Sequence, residues 1–159
     1  MFEKYMTVFF ISMVPLIELR GAIPYSTVMG LPLFPSYIVA ILGNMLPVPI
    51  IFLFARKVLE WGADKPVIGG FFSWCLEKGR RGGEKLQAKA GQGLFIALLL
   101  FVGVPLPGTG AWTGTLAASL LDIDFKSSIL AVMGGVLVAG AIMGLASAGL
   151  LGALQSVIF

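Results

Sequence analysis

Residues 18–24 read ELRGAIP, and they carry the only two charges, Glu18 and Arg20, between Tyr5 and Ala55. Everything around them is apolar. A charge at membrane depth costs about 2.5 kcal/mol or more, so it is rarely accidental. Gly21 and Pro24 lie in the same stretch and allow the helix to break where the charges sit. The stretch therefore reads as the tip of a helical hairpin that dips into a bilayer and turns back.

Composition fits that setting. Of 159 residues, 58% are hydrophobic and 12% charged, with a mean hydropathy of +0.98. A soluble domain carries about a quarter charged residues. The chain reads as an all-α integral membrane protein. It has no His and a single Cys, Cys75, so zinc, iron–sulfur and Ser/His/Asp chemistry lack their residues. No cofactor, metal or enzyme activity is expected. Eight of the 11 basic residues fall in one connection, from Arg56 to Lys89. Under the positive-inside rule that connection faces the cytoplasm. Glu60, Asp64, Glu77 and Glu84 are mixed in and no nucleic-acid motif accompanies them, so nucleic acid is not an expected partner.

Working outward, residues 5–17 make a first arm of roughly 20 Å at 1.5 Å per residue. That is too short to cross about 30 Å of hydrocarbon. A signal peptide has a similar start, but Glu18 and Arg20 stand where a small-residue cleavage site belongs. Residues 25–34 form the return arm, ended by Pro32 and Pro35. Residues 36–55 are long enough to span. Gly43, Asn44, Pro47 and Pro49 predict a kink with freed carbonyls near mid-membrane, where Asn44 faces the tips.

Residues 66–76, PVIGGFFSWCL, are too short to span and read as an interfacial segment. Residues 79–91 read as solvated and partly helical. Residues 93–121 are uncharged and are broken near their centre by PLPGTGAWTG, residues 105–114. That is a second hairpin of the same size. Asp122, Asp124 and Lys126 mark an aqueous surface, and residues 127–159 hold one long span. Gly140, Gly144, Ala148 and Gly152 form a small-residue stripe suited to close packing, either inside the bundle or in a homodimer.

The halves repeat. MVPLIELRGAIP and LFPSYIVAILGN correspond to VGVPLPGTGAW and DFKSSILAVMGG. The expected architecture is one membrane domain, residues 1–159. Residues 5–57 are one hairpin plus span, 58–92 the interfacial connection, and 93–159 the second, inverted hairpin plus span. Transporters are built this way.

ELRGAIP, PLPGTGAWTG and the two-hairpin repeat resemble the putative small multidrug export protein family, grouped with the wider DedA-type membrane proteins. The resemblance covers nearly the whole chain. It implies a re-entrant-hairpin transporter in the cytoplasmic membrane of a prokaryote. Several DedA-type proteins are tied to polyprenyl-phosphate recycling or proton-dependent drug resistance. Carried across, Glu18 and Arg20 form the functional pair, and Pro105, Pro107, Gly108, Gly110 and Trp112 the opposite tip. This chain is shorter and lacks the flanking spans of DedA proteins, so their substrate does not transfer.

The residues themselves favour an anion. Arg20 offers a planar fork suited to phosphate. Thr109, Thr113 and the N–H groups of Gly108 and Gly110 add donors. Glu18 and Arg20 sum to zero charge, so the tip has no net negative field for a cation. A Glu18–Arg20 or inter-hairpin ion pair that only holds the tip is the structural alternative. Three functions stay open: a transporter of a phosphate-bearing lipid or other small anion, a four-span exporter of cationic drugs, and a non-transporting scaffold. Charge counting gives the cytoplasm nine basic residues in both transport topologies, so it does not separate them.

Overall fold

The computed structural model describes residues 2–74, 76, 77, 81, 93–106 and 108–158. All regular structure among them is helical. Apart from Arg81, the expected solvated helix of residues 79–91 lies outside the described residues, as do Cys75 and Pro107.

Among the described residues the helices that frame the fold are α1 (Phe2–Met13), α2 (Glu18–Val28), α3 (Leu33–Met45), α4 (Pro47–Ala63), α5 (Gly93–Gly103), α6 (Ala111–Leu120) and α7 (Phe125–Ile158), and residues 69–74 are helical as well. Helices α1, α2, α5 and α6 have 10 to 12 residues. At 1.5 Å per residue each is roughly 15–18 Å long, about half a hydrocarbon core. Two stretches are long and apolar enough to cross a membrane: Leu33–Ala63, with mean hydropathy 2.3, and Phe125–Leu150, with 2.4. Only 28% and 39% of their most apolar windows are buried. A soluble core helix would hide most of that surface. Phe34, Leu42, Phe54 and Leu145 instead point outward. This is a membrane protein.

The first break falls earlier than ELRGAIP suggests. Pro15 has no N–H to continue α1, and it disfavours helical backbone at Val14. Leu16 then turns with φ 71° and Glu18 with φ 52°. Left-handed backbone at a non-glycine residue costs of order 1–3 kcal/mol. The charged residues thus begin α2 instead of lying on a non-helical tip. Pro24 is accommodated inside α2, where its missing N–H frees the carbonyl of Arg20. The return arm accordingly runs over Glu18–Val28, not 25–34, and Pro32 precedes α3 instead of ending α2.

Lys4 Nζ donates to Met29 O at 3.1 Å, so the two ends of the α1–α2 hairpin lie together. Leu46 keeps helical dihedrals, and Pro47 opens α4 at its first position, where a missing N–H costs little. The expected span from 36 to 55 therefore reaches from Leu33 to Ala63, past Arg56 and Lys57. Helix α7 returns beside it: Phe125 packs edge-on against Phe52 at 5.2 Å, and Tyr37 Oη donates to Leu137 O at 2.8 Å. Helix α5 follows α7 closely. A Cβ on Gly135 would lie 2.6 Å from Val102 Cβ and 2.7 Å from Leu99 O. Only glycine permits that approach. Asp122 pairs with Arg56, which brings the far end of α6 against the middle of α4. The buried core, including Leu19, Ile23, Val48, Val102 and Val136, lies where these helices cross.

Candidate functional site

The two breaks face each other, and each charged residue of α2 serves one end of the second break. Glu18 is 4% exposed. Its Oε2 accepts the backbone N–H of Ala111 at 3.1 Å and its Oε1 that of Trp112 at 3.0 Å. These are orphan donors in the first turn of α6, at the positive end of its dipole. Glycine at 110 leaves the carboxylate its place, because a Cβ there would overlap both oxygens and displace Glu18. Thr113 Oγ1 accepts the Gly110 N–H at 2.9 Å and completes the helix start.

Arg20 serves the other end. Its guanidinium donates to Leu106 O at 2.6 Å, Val102 O at 3.0 Å and Val104 O at 3.2 Å. These carbonyls close the C-terminus of α5, the negative end of its dipole. A cation there and an anion at the α6 N-terminus each contribute about 0.3–1 kcal/mol, rising to about 2 when partly buried. In place of the Glu18–Arg20 ion pair weighed as the structural alternative, the two side chains make separate links to backbone across 82–94 residues. The positive φ of Glu18 lifts its carboxylate off the helical spiral, which is how an i, i+2 pair reaches two ends of one break.

Trp112 adds a third link: its indole Nε1 donates to Met13 O at 3.1 Å, at the end of α1. Thr109 Oγ1 turns inward to Val104 O and Leu106 O, both at 2.9 Å. The donors expected for an anion are thus largely used within the protein, and Arg20 is not a free fork.

A cavity of about 130 Å³ opens between the breaks. Pro15, Leu16, Glu18 and Arg20 line one side, and Gly108, Thr109, Gly110, Trp112, Thr113 and Leu116 the other. Gly21, Pro24 and Pro105 are half-buried nearby in sequence but do not line it. Asn44 is fully buried and also outside the lining. Several participants escaped sequence reasoning, among them the lining residues Leu16 and Leu116 and the carbonyls of Met13, Val102, Val104 and Leu106. Ala111 contributes only its backbone, which no residue type announces. Pro15 gave a signal, a proline after an apolar run, that the neighbouring charges overshadowed.

Comparison with curated proteins and with solved structures gives no match. A family model, "Putative small multi-drug export protein", matches residues 18–142, beginning at Glu18 and passing through both breaks. That is well over half of the chain, and the protein belongs to the small multi-drug export protein family.

Proposed function

We propose that this protein is a multi-pass transporter of the cell membrane, in which two re-entrant hairpins enter from opposite sides and meet at mid-membrane. Its substrate is a phosphate-bearing lipid or other small anion, coupled to protons through Glu18. The observation that carries this reading is the carboxylate of Glu18 seated on the α6 N-terminus. A helix N-terminus with two converging N–H donors is an anion site. The protein fills it with its own anion. Protonating Glu18 removes its charge and weakens that hold, so that a substrate oxyanion competes for the two donors. Returning the proton expels the substrate and reseats Glu18.

The hairpin topology is supported by helix length and by the Arg56–Asp122 pair, which keeps residue 122 on the side of the basic connection. Four full spans would carry it to the opposite side. Cavity size supports a small headgroup. At about 130 Å³ the closed site falls below the roughly 300–1,000 Å³ of drug-binding pockets. A lipid headgroup enters such a site sideways with its chains left in the bilayer.

The test is transport in proteoliposomes by wild type, Arg20→Lys and Arg20→Gln, with a polyprenyl phosphate and with ethidium. Wild type is expected to move the phosphate, and Arg20→Lys to be impaired, since a point charge cannot reach three carbonyls as the planar fork does. Ethidium transport that survives Arg20→Gln, with the lipid ignored, would establish the cationic-drug reading instead. Full tolerance of both substitutions, with neither compound moved, would leave the scaffold.

A further inference from the structure

Helices α4 and α6 run side by side in the same direction. Ser119 Oγ donates to Phe52 O at 2.9 Å, and Asp122 pairs with Arg56 one turn further on. Stepping back four residues on each helix leads to Thr115 and Val48. Another four leads to Ala111 at the start of α6 and, past the start of α4, to Asn44 near the end of α3. All four residues are fully buried. Yet Asn44 Oδ1, Asn44 Nδ2 and Thr115 Oγ1 have no partner within the protein. Pro47 and Pro49 also lack the N–H groups that would bond the carbonyls of Gly43 and Met45. Buried polar atoms are nearly always hydrogen-bonded, and a mixture of donors and acceptors is what bound water satisfies.

This polar row has an open end. A crevice of about 250 Å³, lined by Arg56, Ser119 and Asp122 among others, lies at the end of α6. From Ser119 to Thr115 is one turn, and from Thr115 to Ala111 another, about 6 Å each. Ala111 N–H bonds the Glu18 carboxylate.

We propose that bound water fills this seam and carries protons between the Arg56 crevice and Glu18, with Thr115 and Asn44 as its fixed polar posts. A proton leaves a hydronium in the crevice, passes by exchange along the hydrogen bonds, and ends on a Glu18 carboxylate oxygen. The reverse sequence discharges it. The charged groups around that end are few. Arg20 lies on the same helix, α1 holds Glu3 and Lys4 at its far end, α7 holds Lys126 at its start, and α3, α5 and α6 carry none. No second carboxylate on these elements offers a competing stop near the breaks. Thr115 and Asn44 are positioning residues, and the proposal rests on the coupling role given to Glu18.

The experiment follows the Glu18 carboxyl band by infrared difference spectroscopy. The full chain is reconstituted in one orientation, without substrate, and the band is assigned by its loss in Glu18→Gln. After a drop in pH, protonation is expected to be faster from the Arg56 side than from the other. Thr115→Val, nearly identical in shape, should slow it by about a hundredfold, the lower range of positioned proton-transfer effects, without moving the titration midpoint. Thr115→Ser should restore the rate, and Asn44→Leu should slow it as well. A wild-type rate in Thr115→Val, or faster protonation from the opposite side, would overturn the proposal. Because no substrate is present, failure of anion transport leaves this readout intact, and the two ideas fail separately.

Discussion

Trp112 is bound to the first break at two points, to Glu18 by its backbone and to Met13 by its indole. The Glu18 carboxylate takes the Trp112 backbone N–H at 3.0 Å, and the Trp112 indole bonds Met13 O at 3.1 Å, on the far side of the first break. The second break therefore grips the first on both sides of Pro15. A single protonation at Glu18 loosens one side of that grip while the indole retains the other.

Replacing Glu18 separates charge from hydrogen bonding. Glu18→Gln keeps an acceptor for one N–H of α6 but loses the interaction with the helix dipole, up to about 2 kcal/mol in a partly buried setting. Glu18→Ala leaves two N–H groups without their acceptor, at about 1–3 kcal/mol each. Thermal unfolding in detergent should rank wild type above Gln and Gln above Ala. Transport by Glu18→Gln should lose its pH dependence. PH-dependent transport equal to wild type would remove Glu18 from the coupling step.

Gly110 tests whether the carboxylate must sit where it does. A Cβ at this position overlaps both Glu18 oxygens. Gly110→Ala must push Glu18 away, and overpacking of this kind costs about 1–3 kcal/mol. A lowered midpoint in thermal unfolding is expected, together with loss of transport. Gly108 supplies the contrast. A Cβ there meets open space, but its φ of 81° makes alanine strained by about 1–2 kcal/mol. Gly108→Ala should therefore lose stability while keeping the Glu18 link, visible as an unchanged Glu18 infrared band. Equal shifts of that band in both variants would show that Gly110 has no special relation to Glu18.

Topology follows from Asp122 and Arg56. Cysteines at positions 57 and 124, each in a Cys75→Ser background, should react with an impermeant thiol reagent from the same side of the membrane. Labelling of 124 from the side opposite to 57 would require four full spans.

Legibility of the fold followed local chemistry. Both breaks were visible because prolines and glycines interrupt apolar runs, and the charged pair marked the first. The long span was visible because no charge follows Lys126. The partners of Glu18 and Arg20 were not. Each bonds backbone atoms, and a backbone N–H at Ala111 or a carbonyl at Val102 carries no signature in residue type. Which helix end a side chain caps is a property of the crossing, set by the close α5–α7 contact at Gly135 and by the turn at Leu16. The position of the first break was misjudged for a related reason: Pro24 marks a break by propensity, but a helix interior can absorb a proline at the loss of one i→i−4 hydrogen bond.

The glycine stripe on α7 divides into two parts with different expected behaviour. A Cβ on Gly140 would overlap the ring of Tyr37, and one on Gly144 would make ordinary 3.8 Å contact with Leu33. That part packs inside the chain, where Tyr37 also bonds Leu137 O. Around Gly149 and Gly152 an added Cβ meets nothing within 4 Å. If the stripe serves only this bundle, Gly140→Leu should destabilise it by about 1–3 kcal/mol, as overpacking does, while Gly152→Leu leaves stability within about 0.5 kcal/mol. If a second copy packs on the far end, Gly152→Leu should instead convert a dimer to a monomer without changing the unfolding of the monomer. Thermal unfolding and light scattering of the two variants in detergent separate these outcomes. The other glycines of α7 pack on α3 or α5, whereas a Cβ on Gly149 or Gly152 meets nothing within 4 Å. A monomeric wild type would assign the stripe to the bundle alone.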